Sequence, residues 1–210
     1  MTPRHALPYP LYRAALAATL AAGALFPALL LALFPAVARA DAKAGEAKAS
    51  TCMVCHGPQG KSTDASYPVL AGQTSRYIYL ELRDFKEGRR SDPSMTPVAA
   101  QLSRDDMQDL ADYFSSQTPF QAAYKGDTSR VKAGSARSAE ILCTMCHLGG
   151  FTGQNEIPRV AGQHYAYIVK QLEDFRARRR TNDAGNMTSV ARNLSDDDIK
   201  NLASYIANLN

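Results

Sequence analysis

Two short motifs in this chain combine residues that form covalent bonds with residues that bind metals. They read CMVCH over residues 52–56 and CTMCH over residues 143–147. In a Cys-x-x-Cys-His motif the two thiols can add to the vinyl groups of a haem, and the adjacent histidine reaches the iron from the same side. The two motifs therefore predict two covalently bound haem c groups, with thioether bonds from Cys52, Cys55, Cys143 and Cys146 and iron ligation by His56 and His147.

Other chemistries also use closely spaced cysteines. A redox-active dithiol needs a βαβ context, which the surrounding sequence does not resemble. Zinc can take cysteine and histidine ligands, and exported chains form disulfides. A single motif would leave these alternatives open, but the motif occurs twice with matching residues downstream, which favours haem attachment.

The second half of the chain repeats the first with an offset of about 91 residues. The segment PVLAGQ over residues 68–73 recurs as PRVAGQ over residues 158–163, and Met95-Thr96 recurs as Met187-Thr188. Because internal repeats fix the architecture, we expect two copies of one domain. The predicted boundaries are 41–122 for the first domain and 123–210 for the second. We expect a linker over residues 118–135, where Pro119, Gly126 and Gly134 lie.

The sixth iron ligand can be assigned among the six methionines by elimination. Four are excluded because they lie in the N-terminal segment, between the cysteines or on the apolar stripe of a helix: Met1, Met53, Met145 and Met107. Met95 and Met187 correspond in the repeat and follow their histidines by about 40 residues, enough chain to pass around a haem edge. We therefore predict axial ligation by Met95 and Met187, with core packing of both as the alternative.

Each repeat has helical periodicity and no convincing alternation with period two. Ile78, Leu82 and Phe85 lie at positions i, i+4 and i+7, as do their counterparts over residues 168–175. Ser103 and Ser195 each precede a run of acidic residues, which is typical of a helix N-terminus. The predicted fold is therefore all-α, with a plain four-helix bundle disfavoured by the long loops.

The N-terminus is expected to direct export. An apolar run over residues 14–37 follows two arginines and ends in Ala38-Arg39-Ala40, a pattern typical of a cleaved signal peptide over residues 1–40. The alternative is an uncleaved membrane anchor, since the run is long enough to span a bilayer. Without this segment the chain has 21 basic and 20 acidic residues, a balance that does not indicate a nucleic-acid partner.

Charge and the remaining polar residues give weaker indications. Residues 41–127 carry 10 basic and 12 acidic side chains, whereas residues 128–210 carry 11 and 8. The second half includes an arginine run over residues 176–180, which indicates either a solvated helix end or a docking surface.

His164 has no counterpart in the first repeat and is expected at the surface. Gly72 and Gly162 are expected to allow close approach to the porphyrin. For the paired glutamines and tyrosines, propionate binding and plain packing both stay open: Gln73, Gln163, Tyr77 and Tyr167.

With these motifs in hand, the chain resembles the cytochrome c4 family of dihaem class I cytochromes. The resemblance covers residues 41–210 and rests on the two Cys-x-x-Cys-His motifs, the paired Ala-Gly-Gln segments and the paired Met-Thr loops. It implies the axial pairs His56 with Met95 and His147 with Met187, with the carbonyls of Pro68 and Pro158 holding the histidines. The second copy departs from the first in two places. Arg178 stands where the first copy has Gly88, and Leu148-Gly149-Gly150 follows the histidine where the first copy has Gly57-Pro58.

The resemblance also implies a function. Such proteins are periplasmic single-electron carriers, often feeding a terminal oxidase, so we expect electron transfer from a quinol-oxidising complex to an oxidase without bond-making chemistry. Attachment to the membrane is expected only if the N-terminal segment is retained. The alternative from another class is an enzyme or an enzyme subunit, either a dihaem peroxidase or the cytochrome subunit of a dehydrogenase.

Overall fold

The structure, a computed structural model, describes residues 42–210. The predicted signal peptide over residues 1–40 lies outside this range. The described chain forms two successive sets of helices. The first set comprises α1 Ala42–His56, α2 Ser75–Lys86, α3 Met95–Ala100 and α4 Arg104–Ser116. The second set comprises α5 Thr128–Glu140, α6 Thr144–His147, α7 Tyr165–Arg176, α8 Asn186–Ala191 and α9 Asp196–Ala207.

The all-α prediction is confirmed for the described range. Residues 42–210 contain no β-strand, and their extended pairing is limited to one isolated bridge between Gln154 and Ile157. None of the helices in residues 42–210 has the length and apolar character needed to cross a membrane. Each set of helices surrounds its own apolar core, which agrees with the predicted duplication.

The helix signals read from the sequence hold in both repeats. Ile78, Leu82 and Phe85 are buried on α2, and the matching residues of α7 are buried to the same degree. Ser103 caps α4 by accepting a hydrogen bond from the Asp106 backbone N–H, while the Asp106 carboxylate accepts one from the Ser103 N–H. The capping box is repeated at the start of α9. Reciprocal caps of this kind satisfy helix donors that would otherwise lack partners.

The first and last helices of each repeat cross in close contact at a glycine. A Cβ built on Gly45 of α1 would lie 2.1 Å from the Asp109 carbonyl oxygen of α4. A Cβ on Gly134 of α5 would lie 2.0 Å from the Asn201 carbonyl oxygen of α9. Both distances are far below van der Waals contact, so only glycine allows the two helix backbones to approach this closely.

The predicted linker was too long, because α5 begins at Thr128 with Asp127 as its cap and already contains Gly134. Gly72 and Gly162 also lie against the segment that joins the repeats. A Cβ on Gly72 would lie 2.6 Å from Pro119, and one on Gly162 would lie 3.0 Å from Gln121. These glycines therefore make room for the chain that joins the repeats. Both have positive φ, which glycine adopts without a steric penalty.

The two sequence departures of the second repeat preserve the backbone of the first. Leu148 adopts φ 63° and ψ 172°, close to the φ 74° and ψ 167° of its counterpart Gly57. Arg178 adopts φ 58°, where Gly88 has φ 73°. Non-glycine residues in these regions cost of order 1–3 kcal/mol each. The repeat thus keeps its loop geometry at a local cost in strain.

The repeats differ in the helix that leads to the cysteine motif. In the first repeat, α1 continues without a break through Cys52 and Cys55 to His56. In the second, α5 ends at Glu140, and Leu142 has a positive φ of 60° before α6 begins at Thr144. The sequence periodicity did not predict this interruption.

Candidate functional site

Each motif histidine is oriented by a backbone carbonyl from the loop that follows it. His56 Nδ1 donates to the Pro68 carbonyl oxygen at 2.8 Å, and His147 Nδ1 donates to the Pro158 carbonyl oxygen at 2.9 Å. Because Nδ1 carries the proton in this arrangement, the lone pair of Nε2 is free to bind a metal. The two sites have the same geometry, which agrees with the hydrogen bonds that the resemblance implied.

Burial keeps both imidazoles in the form that binds iron. It lowers the pKa of His56 and of His147 below the usual value of 6.5, partly offset by the hydrogen bond to the proline carbonyl. Desolvation disfavours the charged imidazolium, so the neutral ring prevails near neutral pH. A neutral imidazole with a defined tautomer is what iron ligation requires.

None of the four cysteines forms a disulfide bond in the described range. Cys52 and Cys143 are partly buried against the two apolar cores, and burial raises the pKa of both thiols. Among residues 42–210, no group of three or more His, Cys, Asp or Glu side chains could hold a metal ion by itself. The arrangement therefore offers two thiols and one histidine per motif without the ligand set of a zinc site.

The two paired methionines lie against the cores of their own repeats. Met95 opens α3 and packs against the same core as Cys52, while Met187 in α8 packs against the same core as Cys143. Met107, by contrast, is 2% exposed within the first core, as expected for a packing residue. The fold thus places one of the two paired methionines and one cysteine motif around each core.

The paired methionines lie in the short helices α3 and α8, where the sequence predicts loops, and an aspartate fixes each helix. Asp92 Oδ1 accepts a hydrogen bond from the Met95 backbone N–H at 3.1 Å. In the second repeat, the Asp183 carboxylate accepts from the N–H and the hydroxyl of Thr188, the residue after Met187. Both aspartates lie three residues before the first residue of a short helix, and an aspartate whose side chain bonds the following backbone is a recognisable turn signal in the sequence.

A cleft of about 300 Å³ lies in the second repeat beside these elements. Its walls come from the end of α5 with the residue after it, just before Cys143, and from the chain that follows Met187. Its lining residues are Arg137, Ile141, Ser189, Val190, Asn193 and Leu194. The cleft lies between the segments that carry the proposed attachment and ligation residues. None of the cysteines, motif histidines or paired methionines lines this cleft, so the donor set of thiols, neutral imidazole and thioether in each repeat is what fits haem c.

The interface between the repeats contains a buried polar network. Arg90 donates to Glu81 at 2.5 Å, and its other terminal nitrogen donates to Tyr167 of the second repeat. Its counterpart Arg180 donates across the interface to Glu81 at 2.5 Å and to Tyr77. Burial raises the pKa of Tyr77 to about 12, so its hydroxyl stays protonated. The paired tyrosines therefore bind the arginine of the opposite repeat.

His164 is buried, which contradicts its expected surface position. It is 6% exposed, and its Nε2 lies 3.1 Å from the Ser62 carbonyl oxygen of the first repeat. Gln73 and Gln163 bond to backbone groups of the opposite repeat. These contacts join residues 86–102 positions apart and leave no local signal in the sequence.

Comparisons with known proteins agree with this geometry. The family model for cytochrome c matches residues 42–118 and again residues 131–210. Cytochrome c4 of Pseudomonas aeruginosa is 40% identical over 183 residues, which cover 82% of this chain and 90% of the relative. A thiosulfate dehydrogenase electron acceptor of Stutzerimonas stutzeri is 33% identical over 172 residues, covering 77% of this chain and 80% of that protein.

A solved structure shows the same architecture over nearly the same length. The crystal structure of reduced recombinant cytochrome c4 from Pseudomonas stutzeri superposes with a TM-score of 0.76 at 38% sequence identity. The match covers 82% of this chain and all of the other. The two copies of the domain, the two Cys-x-x-Cys-His motifs and these matches lead to one conclusion. The chain belongs to the cytochrome c family as a cytochrome c4-like, dihaem electron-transfer protein.

Proposed function

We propose that the chain carries single electrons in the periplasm, with one six-coordinate haem iron in each domain. The proposed axial pairs are His56 with Met95 and His147 with Met187, and the proposed thioethers come from Cys52, Cys55, Cys143 and Cys146. Haem c supplies a reversible one-electron iron couple. The observation that carries the assignment is the matched pair of hydrogen bonds from His56 to Pro68 and from His147 to Pro158.

The protein's own part is to hold the ligands and keep both sides of the iron closed. The proline carbonyls fix the histidine rings, and Asp92 and Asp183 fix the short helices α3 and α8 that carry the methionines. Histidine and methionine together raise the reduction potential and leave no site for an external ligand. This arrangement supports electron transfer without bond-making chemistry. The alternative, a peroxidase, requires an iron position that can open.

Binding of carbon monoxide to the reduced native protein separates these two functions. Slow or absent binding at stoichiometric carbon monoxide is expected, because both irons carry a methionine. Met107→Leu should behave like the native protein, since Met107 is a core residue. Rapid binding at either haem in the native protein would favour the enzyme function instead.

The proposed route runs from a quinol-oxidising complex through this protein to a terminal oxidase. A second donor is favoured by one finding, the similarity to a protein described as a thiosulfate dehydrogenase electron acceptor. Stopped-flow reduction of the oxidised protein by each purified donor, followed by reoxidation with the oxidase, tests both routes. Fast reduction by the quinol-oxidising complex alone supports the first route, and fast reduction by the dehydrogenase alone supports the second.

Periplasmic location is proposed from the sequence of residues 1–40, and the domain boundaries 41–122 and 123–210 are proposed with it. Cell fractionation and N-terminal sequencing of the purified protein test the location. A mature N-terminus at Asp41 in the periplasmic fraction is expected. Recovery in the membrane fraction with residues 1–40 intact would instead indicate an anchored protein.

A further inference from the structure

Two buried glutamines bind the backbone of the opposite repeat in the same way. Gln163 donates from Nε2 to the Val69 carbonyl oxygen at 3.0 Å, and its Oε1 accepts from the Val69 N–H at 2.9 Å. Gln73 donates to the Arg159 carbonyl oxygen at 2.8 Å and accepts from the Arg159 N–H at 2.7 Å. Gln73 is 7% exposed and Gln163 is 6% exposed, so water does not compete for these bonds.

The residue that Gln163 binds follows the proline that holds a haem-binding histidine. The Pro68 carbonyl and the Val69 N–H belong to one peptide group. Its oxygen accepts from His56 Nδ1 at 2.8 Å, while its N–H donates to Gln163. One rigid, planar unit therefore connects the histidine of the first repeat to the glutamine of the second.

The second site has the same connection in the opposite direction. The oxygen of the peptide between Pro158 and Arg159 accepts from His147 Nδ1 at 2.9 Å, and its N–H donates to Gln73 of the first repeat at 2.7 Å. The two connections cross the domain interface once each. Packing of the two domains against each other does not by itself require a hydrogen bond to these particular peptide groups. Both glutamines nevertheless bind the peptide group that holds a motif histidine.

A hydrogen bond at a peptide N–H affects the carbonyl of the same peptide. Hydrogen bonds in a chain polarise one another, so an N–H that donates makes its carbonyl oxygen a stronger acceptor. A stronger acceptor on Nδ1–H increases the basicity of the imidazole toward the iron. A more basic ligand favours the ferric state, which lowers the reduction potential.

We propose that Gln73 and Gln163 are positioning residues that act crosswise on the two haems. Gln163 strengthens the ligand His56 of the first domain, and Gln73 strengthens the ligand His147 of the second. Each domain thereby lowers the potential of the haem in the other. This inference rests on the proposed axial roles of the two histidines.

Substitution of each glutamine by methionine tests whether the glutamine acts on the haem of the opposite domain. Methionine keeps the length of the side chain without its strong hydrogen bonds. Gln163→Met should raise the midpoint potential of the haem bound by His56 and leave the other unchanged. Gln73→Met should do the reverse. The expected change is up to about tenfold in the oxidation equilibrium, or about 59 mV for one electron. A redox titration followed by NMR signals of the two axial methionines assigns each potential to its domain.

Thr74→Val is the matched control. It removes another bond between the repeats, from the Thr74 hydroxyl to the Asn155 carbonyl oxygen at 2.6 Å. The peptide groups between Pro68 and Val69 and between Pro158 and Arg159 keep all their hydrogen bonds. Both potentials should stay unchanged in this variant. A shift confined to the haem of the substituted domain, equal shifts at both haems, or no shift at all would overturn the proposal.

Hydrogen exchange in the unsubstituted protein keeps the test decisive if a variant folds poorly. The Val69 and Arg159 amides should exchange as slowly as helix-core amides, and free exchange at both would overturn the proposal. The axial assignment is checked separately by the Met95 and Met187 variants described below. A protein that passes that check and lacks crossed shifts would refute only the crosswise inference.

Discussion

At the residue scale, His164 forms a buried polar contact between the two repeats. It differs from the residues of the Cys-x-x-Cys-His motifs, which occur twice and can be predicted from the sequence for that reason. His164 lacks a counterpart, and its partner is the Ser62 carbonyl 102 residues away. No local pattern encodes a contact at that separation. Its burial therefore became visible only when the two domains were packed together.

The burial of His164 predicts a pH-dependent stability. Burial lowers the pKa of this histidine from its usual 6.5. A histidine that is harder to protonate when folded contributes its stability above pH 6.5 and loses it as the pH falls through the lower folded pKa. The thermal midpoint of the oxidised protein should therefore fall as the pH decreases below about 6.5, with Asp64 partly opposing the shift by favouring the charged ring.

His164→Gln is the matched variant, since the glutamine amide can still donate to the Ser62 carbonyl but does not titrate. Calorimetry from pH 7.5 to 5 should give a shallower loss of stability in this variant. His56 and His147 are shared by both proteins, and proposed iron ligation holds them neutral. Equal pH slopes for the two proteins would show that His164 does not contribute.

At the element scale, helix boundaries and buried stripes followed from periodicity and capping. Ser103 and Ser195 begin their helices as predicted, with complete capping boxes. The predicted linker is too long because a glycine in the sequence favours a loop, whereas Gly134 lies inside α5. From the sequence alone, a glycine in a turn cannot be distinguished from a glycine where two helices cross closely. The position of the neighbouring helix decides between the two. Gly45 has the same role in the first repeat.

The glycine crossings predict a large and specific loss of stability. Gly134→Ala places a Cβ about 2 Å from the Asn201 carbonyl oxygen, and Gly45→Ala does the same at Asp109. The contacts are to backbone, which cannot rotate away, so each change should cost about 3 kcal/mol or more, beyond the usual range for overpacking. Denaturant unfolding monitored by far-ultraviolet circular dichroism measures this.

Gly149→Ala is the control for these variants. Gly149 has ordinary φ and open space around the position of a Cβ. Its free energy of unfolding should change by less than about 0.5 kcal/mol, as for surface substitutions elsewhere. Comparable losses in all three variants would mean that the helix crossings are not the cause.

At the scale of the whole molecule, the duplication could be predicted from the sequence, but its internal interface could not. The arginine run over residues 176–180 was expected to lie on one surface. The structure divides it, because Arg180 is 8% exposed and binds Glu81 across the interface, whereas Arg178 and Arg179 are exposed. Arg176 pairs with Asp196. The charge difference between the halves therefore rests partly on residues that a docking partner does not meet.

The charged side chains of the second domain that stay exposed still predict asymmetric docking. Without the buried Arg180, residues 128–210 carry 10 basic and 8 acidic side chains, so an acidic redox partner should associate with the second domain. Arg178→Glu should lower the bimolecular electron-transfer rate at low salt more than Arg104→Glu, an exposed arginine of the first domain. The difference should vanish near 1 M salt, where charges are screened beyond about 3 Å. Equal effects of both variants would indicate that the asymmetry does not direct docking.

The central claim is that Met95 and Met187 complete two six-coordinate haem irons, and one measurement tests it directly. The weak sulfur-to-iron charge-transfer band of the oxidised protein is recorded during a redox titration of Met95→Ala, Met187→Ala and the control Met107→Leu. Each of the first two variants should lose half of the band and show one lowered potential, because loss of methionine ligation favours the ferric state. Met107→Leu should keep the whole band, since Met107 lies in the core. An undiminished band in Met95→Ala or Met187→Ala would contradict the account.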